Sequence, residues 1–432
     1  MKMANMDDYF DVVIVGTGAA GLYCALNLPA RYRILLLTKQ KADESDSFLA
    51  QGGICMQHGE ADYRPFFDDT MRAGHYENNP ATVELMIRSS NSIIRDLVRR
   101  GVRFARDDHG ALRFTREGAH SRPRILFHED ITGHEITQTL LNEVLRCENI
   151  VLREHTTLLD FFADASACGG VIATGPDGEP RAIGAGAVVL ACGGIGGLYK
   201  NSTNFPHITG DAIAMALRHG VACEHLDYIQ IHPTTLYSHR KGRRFLISES
   251  GRGEGALLLD KNGNRFTNEL QPRDVVSAAI RAQMEKDGTD HVWEDMRPIG
   301  EAAIREHFPN ILERCEEEGY DPIHEPIPVV PAQHYFMGGI TADLSSRTAL
   351  PRLYACGETC CNGVHGRNRL ASNSLLESLV FAQRAADDIL YGEPPVFTGD
   401  KPDLAPYREQ EPLFAAYRQE VLTAIERSKN HE

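Results

Sequence analysis

The stretch TREGAHSRPRIL (115–126) sets one carboxylate, Glu117, among Arg116, Arg122, Arg124 and His120. Clustered guanidinium groups make either a solvated loop or an anion site. An anion site repels a carboxylate, so a lone acid inside one implies a ligand that also carries a cation. A second group of chemical signals is built from glycine: GTGAAG (16–21), AQGG (50–53), ACGGIGG (191–197) and ACGE (355–358). In GTGAAG, Gly16 makes the tight turn, Gly18 lets backbone approach a pyrophosphate, and Gly21 lets a helix pack closely on a strand. Thr17, Ala19 and Ala20 complete that turn.

These residues need elements to place them. DVVIVG (11–16) is a β-branched run, LYCALNL (22–28) has helical spacing and stops at Pro29, and RILLLTK (33–39) is a second strand. That order is a βαβ start with its glycine turn where a dinucleotide requires it. The acid expected at the end of the second strand is absent, and Thr38-Lys39 stand there instead. Residues 80–101 read as an amphipathic helix, with Pro80 near its start and Gly101 as terminator. Further helices are expected at 134–147, 209–220 and 372–390, a β-rich stretch at 150–191, and a hairpin at 257–269 turning at Asn262-Gly263. Taken singly, the later glycines are ordinary αβ turns. Together, three strand-to-glycine transitions fit a cofactor wrapped along its length, FAD rather than NAD. The helix opening at Ser372, its plausible N-cap, would aim the backbone N–H groups of Asn373, Ser374 and Leu375 at a reduced flavin.

Bulk composition narrows the class. The chain has 432 residues, enough for two or three domains, with 42% hydrophobic and 24% charged residues. A net charge of −15 argues against nucleic-acid binding. The ten cysteines form no CxxC, and the Cys356, Cys360, Cys361 group lacks the partners of a zinc site, so no metal is expected. No apolar run is long enough for a membrane span, and MKMANMDDYF lacks signal-peptide character. A soluble cytoplasmic protein with reduced thiols is the expectation.

Taken together, the motifs resemble those of the L-aspartate oxidases, within the succinate dehydrogenase and fumarate reductase flavoprotein superfamily. GTGAAG, SFLAQGGI, TREGAHSRPRIL, IQIHPTTL, ESGRGEGALL, PRDVVSAAI, VVPAQHYFMGGI, LYACGE and GVHGRNRLASNSLLESLV carry the resemblance, from residue 11 to about 390. The implied fold is α/β: a Rossmann-like FAD-binding domain (1–242 and 337–415) interrupted by a smaller α+β capping domain (243–336), with a shortened C-terminal helical tail (416–432). The implied cofactor is non-covalent FAD, with Lys39, Asp46, Ser47, Ala50, Gln51, Gly52, Gly53, Asp211 and Glu358 joining GTGAAG and the 373–375 turn. The implied substrate is L-aspartate, oxidised to iminoaspartate by hydride transfer from Cα to flavin N5. Reoxidation would use O2, giving H2O2, or fumarate, and the product would pass to quinolinate synthase in NAD biosynthesis.

The resemblance also assigns a catalytic set of Arg273, Glu117, His232, His334 and Arg369. Arg369 and His334 would hold one substrate carboxylate, and His232 the other, with Ser248 and Arg252 near it. Ser248-Glu249 stands where the family has Thr-Glu. The family treats Arg273 as acid or base; a guanidinium, with a pKa above about 12, rarely gives up a proton, which makes a positive clamp its main role in aspartate oxidation. Glu117 would orient the substrate amine, and His120 and Arg124 are candidates for touching substrate.

Two other readings stay open. One is a soluble fumarate reductase or succinate dehydrogenase-type flavoprotein; where the membrane-complex subunits carry a flavin-linked His, this chain has Asp46 or Ser47. The other is a flavin-binding scaffold without turnover. A single His or buried Arg is more often structural than catalytic; the ordered set of motifs is what favours a site.

Overall fold

The computed structural model describes residues 9–239, 242–392 and 397–429. Residues 1–8, most of the stretch read for a signal peptide, lie outside that set, as does the start of the Pro-rich segment after 392.

Strand β1 (Tyr9–Val15) runs through GTGAAG into α1 (Ala19–Asn27), which ends before Pro29, and β2 (Ile34–Leu37) lies parallel to β1. Between the two small strands β3 (Ile54–Cys55) and β4 (Phe114–Thr115) lie a helix over Tyr63–Ala73 and the longer α2 (Pro80–Arg100). Helix α2 has Pro80 at its first turn, Asn79 capping the Ala81 N–H at 3.0 Å, and Gly101 closing it in the left-handed conformation. Strand β5 (Ile125–Leu126) pairs antiparallel with both β3 and β4. That small sheet anchors AQGG at one edge and the two ends of the Glu117 loop beside it.

Helix α3 (Thr132–Val144) leads to β6 (Ile150–Arg153), β7 (Thr157–Ala163), β8 (Cys168–Thr174) and β9 (Pro180–Leu190). The main sheet has the order β6-β2-β1-β9-β8-β7. Its inner strands are buried on both faces and read as continuous apolar runs, as parallel strands do. After α4 (Asp211–Arg218), strand β10 (Ile229–Leu236) opens a second, four-stranded antiparallel sheet. Helix α5 (Glu249–Gly253), β11 (Leu257–Leu259), α6 (Arg273–Asp287), β12 (Val292–Asp295) and β13 (Ile327–Phe336) follow; the sheet order is β10-β13-β12-β11. Ile247, Leu258, Val276, Ile280, Val292 and Phe308 belong to a core of its own beneath it. Strand β14 (Leu353–Ala355) returns to the main sheet beside the end of β9. Helix α7 (Asn373–Tyr391) packs across α1, and α8 (Gln410–Lys429) buries Tyr417 and Val421 against α4.

The expected hairpin at 257–269 differs from the structure. Asp260 turns the chain, but the return arm makes only a single bridge, Leu259 to Arg265, and β11 pairs instead with β12. The polar return arm has a side-chain anchor in place of a ladder: Glu269 accepts the Leu258 N–H at 2.9 Å. The ten cysteines are free thiols. Among the described residues no helix is long and apolar enough to cross a membrane, and no cluster of His, Cys, Asp or Glu is placed to hold a metal.

Candidate active site

The C-terminal ends of β1, β9 and β14 open onto one cleft, the position where open α/β sheets receive ligands. Gly16 has φ +112°, and a Cβ there would lie 2.0 Å from the Ala191 carbonyl oxygen, so β1 can turn past β9 only with glycine. A Cβ on Gly21 would meet the Gly16 oxygen at 1.9 Å, which is the close helix–strand contact the motif demands. Gly18 caps α1 with no side chain, leaving the positive end of the helix facing the cleft. Thr17, Ala19, Ala20, Lys39, Asp46, Ser47, Ala50, Gln51, Gly52, Gly53, Asp211, Glu358, Ser374 and Leu375 line the same cleft.

Ser47 Oγ accepts the Ala19 N–H at 3.0 Å, tying the glycine turn to the segment before AQGG. Lys39, in the place of the missing acid, pairs with Asp211 at 2.7 Å and lies over the Phe414 ring of α8. Asp46 takes the Phe205 N–H on one oxygen at 2.9 Å; its other oxygen is buried without a partner, and burial lifts the carboxyl to about 7. Burial and the neighbouring Asp46 push Glu358 up to about 8. Ser45 Oγ and Gln51 Oε1 are also buried and unpartnered. A long cleft with the N-terminus of α1 at one end and orphaned polar atoms along its wall suits a polar dinucleotide. Two of the predicted set do not line the cleft: Gly21 packs against Gly16, and the Asn373 side chain donates to Thr70 Oγ1 at 3.1 Å.

The other end of the cleft gathers Glu117, His232, Ser248, Glu249, Arg273, His334 and Arg369. Arg273, the first residue of α6, donates from Nε to Glu249 Oε2 at 2.5 Å and from Nη1 to Gln230 Oε1 at 2.9 Å. Arg369 donates to the same Gln230 oxygen at 3.3 Å and to Ser374 Oγ, and its guanidinium lies 4.4 Å over the Tyr335 ring. Burial, then Arg273, lowers Arg369 to about 10. Burial opposes the Glu249 charge, but Arg273 and Arg252 hold its carboxyl below the usual range.

His232 is fixed at Nδ1 by the Thr234 backbone, and its buried Nε2 has no partner. His334 Nδ1 bonds Thr203 Oγ1 at 2.7 Å, and the two rings meet edge to face at 5.1 Å. Burial and then Arg273 drive both imidazoles well below their ordinary range, so both are neutral at working pH. Arg252 is fully buried, one step behind the lining; it donates to Thr234 Oγ1, its Nη2 lies 3.7 Å from Glu249 Oε2, and its Nε has no hydrogen-bond partner.

The loop around Glu117 sorts itself by partner. Arg116 and Arg122 are exposed. Arg124 is wholly buried but compensated, pairing with Asp62 at 3.0 Å and Asp69 at 2.8 Å. It also holds His120 Nδ1 at 2.9 Å, and His120 Nε2 reaches the Ala371 carbonyl at 3.0 Å. Neither lines the cleft, so the expected substrate candidates His120 and Arg124 brace the turn before α7 instead. Of that cluster only Glu117 faces the cleft. Burial, then Glu249, raises its carboxyl; Ser372, Arg273 and Ser250 pull the other way.

Sequence reasoning missed Gln230, Thr203, Thr234, Ser250 and Ser372. Gln230 had a signal: it sits two residues before His232 on β10, and alternate strand residues share a face. Ser372 sits at the N-cap of α7 with φ 62°, but its hydroxyl caps nothing and goes to Glu117.

Comparison with known proteins gives this geometry its relatives. An FAD binding domain family matches residues 11–375. The L-aspartate oxidase of Clostridium perfringens is 48% identical over 88% of this chain and 86% of that protein, and that of Nostoc is 44% identical over 98% and 76%. Among solved structures, a quinol-fumarate reductase with menaquinol molecules is similar at TM-score 0.84 and 32% identity, over 95% of this chain and 75% of that one. FAD is the cofactor of this family, and the chain belongs to the L-aspartate oxidases, within the succinate dehydrogenase and fumarate reductase flavoprotein superfamily.

Proposed function

We propose that this chain oxidises L-aspartate to iminoaspartate. FAD, when bound, accepts the hydride that leaves Cα. The protein's task is to bind a dianion that also carries an ammonium, and to fix Cα against the cofactor. In this reading Arg369 and His334 hold one carboxylate; His232 and Ser248 hold the other, backed by Arg252. Gln230 braces Arg273 and Arg369 through one oxygen, so both cations approach the substrate in fixed positions. Arg273, against Glu249, screens the two substrate charges. Glu117 orients the amine, which releases one proton to solvent as the hydride leaves Cα, giving the iminium form of the product.

Residues 243–336 act as a cap that brings Ser248, Glu249, Arg252 and Arg273 over the cofactor. Non-covalent FAD follows from Asp46 and Ser47, neither of which offers an imidazole for linkage. Reoxidation uses O2 or fumarate, the latter in keeping with the likeness to quinol-fumarate reductases. The product is suited to capture by quinolinate synthase in the cytoplasm.

One observation carries the choice of substrate: Glu117, a buried carboxylate on the cleft wall, is held by two hydroxyls, whereas its neighbour Glu249 is paired with Arg273. A dicarboxylate without nitrogen gains nothing from Glu117. The test is product analysis in air. L-Aspartate should give ammonia, from hydrolysis of the imine, in a 1:1 ratio to O2 consumed. Turnover of succinate with no ammonia from L-aspartate would overturn the proposal in favour of a fumarate reductase or succinate dehydrogenase.

A further inference from the structure

We infer that Ser250 and Ser372 are the positioning residues that aim Glu117 at the substrate ammonium, and that they set the preference for an amino dicarboxylate over one without nitrogen. This rests on the aspartate reading above. The two hydroxyls grip opposite oxygens: Ser250 Oγ donates to Glu117 Oε1 at 3.0 Å, and Ser372 Oγ donates to Oε2 at 2.5 Å. A carboxylate held at both oxygens cannot rotate about its last bond, yet it keeps lone pairs for a ligand N–H.

Both hydroxyls are spare with respect to the local fold. Helix α5 is capped by Ser248, whose Oγ accepts the Ser250 N–H at 3.2 Å, so Ser250 has no capping duty. Ser372 occupies the N-cap of α7 but leaves the cap empty. Each serine is buried, so water does not compete for Glu117. Gly52 shows how closely the carboxylate is seated, because a Cβ there would lie 2.2 Å from Glu117 Oε1. The grip also joins distant parts of the chain: Ser250 stands beside the second sheet, and Ser372 precedes the helix packed on α1.

The charges around Glu117 make the two bonds matter. Glu249 from α5 disfavours its ionisation, as does burial; Arg273 from α6 favours it. The Cys55 thiol of β3, whose own ionisation Glu117 disfavours, also neighbours it. Hydroxyl donors stabilise the charged form, so deleting one raises the proton affinity of Glu117 and moves the acid limb of aspartate oxidation to higher pH.

The experiment compares wild type with Ser250→Ala, Ser250→Thr and Ser372→Gly in the FAD-loaded full chain; glycine suits the φ of residue 372 and keeps the turn unstrained. Flavin content and absorption spectrum confirm that each variant folds. For L-aspartate oxidation, kcat/KM should fall about 10-fold or more in Ser250→Ala and Ser372→Gly, as loss of a hydrogen bond to a charged group implies. The acid limb should rise in both, fumarate reduction should change by less than about 3-fold, and Ser250→Thr should recover most of the loss. Equal losses in both reactions, or an unmoved acid limb, would overturn the inference while leaving the aspartate reading intact. A wild type that does not oxidise L-aspartate would overturn both.

Discussion

Glu117, Gln230 and the paired arginines decide which molecule the cleft can turn over. Glu117 is buried at 3% exposure, so its interaction with an ammonium is barely screened by solvent. Changing Glu117→Gln keeps the shape and removes the charge. Aspartate oxidation should then fall on the order of 30-fold or more, the usual loss on breaking a buried charge pair, with a much smaller loss in fumarate reduction; parallel assays of kcat/KM check this. Equal losses would remove Glu117 from amine recognition. Gln230 supports both Arg273 and Arg369, so Gln230→Leu should affect the two reactions alike, by about 10- to 100-fold in kcat/KM, from two charge-assisted bonds lost. The imidazoles offer a pH test. Because His232 and His334 are held neutral far below their ordinary range, the profile of kcat/KM should show no acid limb from an imidazole near pH 6.5; its acid limb belongs to Glu117.

At the scale of elements, the short sheet β3-β5-β4 and the loop it carries determine where Glu117 sits. Arg124 is the loop's internal anchor, wholly buried between Asp62 and Asp69. Replacing Asp69 with Asn leaves a buried guanidinium under-compensated, which costs about 3 kcal/mol; a denaturant midpoint measures it. The stabilisation has a defined pH sign. Burial opposes the Asp69 charge, but Ser121 and Arg124 hold its folded carboxyl below the usual carboxylate range, so the contribution is present above the unfolded carboxylate range and is lost as pH falls below about 4.

This loop also shows how far the elements could be read in advance. GTGAAG, the apolar strands and α2 were legible because local sterics fix them: a positive-φ glycine, β-branched runs, a proline start and a glycine stop. The partners of Arg124 were not, since Asp62 and Asp69 lie more than fifty residues away. The same holds for Ser372, whose position implied a cap until tertiary packing gave its hydroxyl to Glu117. The return arm after Asn262-Gly263 makes one bridge to the free edge of β11 and no ladder, because the Glu269 side chain takes the Leu258 N–H, a contact the turn signal does not encode.

At the scale of the molecule, the second sheet delivers His232 and His334, and helix α6 packed on it delivers Arg273, to a cleft built by the ends of the first. Motif order in the chain made that convergence readable, while the bracing by Gln230 and Thr203 needed the folded contacts. Asp46 and Ser47 predict that acid precipitation should leave all flavin in the supernatant; yellow colour retained on the pellet would show a covalent link. The specificity of the whole molecule turns on the substrate's nitrogen, which one measurement reaches most directly. The purified FAD-loaded protein, kept free of oxygen, is mixed with L-aspartate, D-aspartate or succinate while the oxidised flavin band is followed. L-Aspartate should bleach the band and the other two should not. Bleaching by succinate, with none by L-aspartate, would contradict the account.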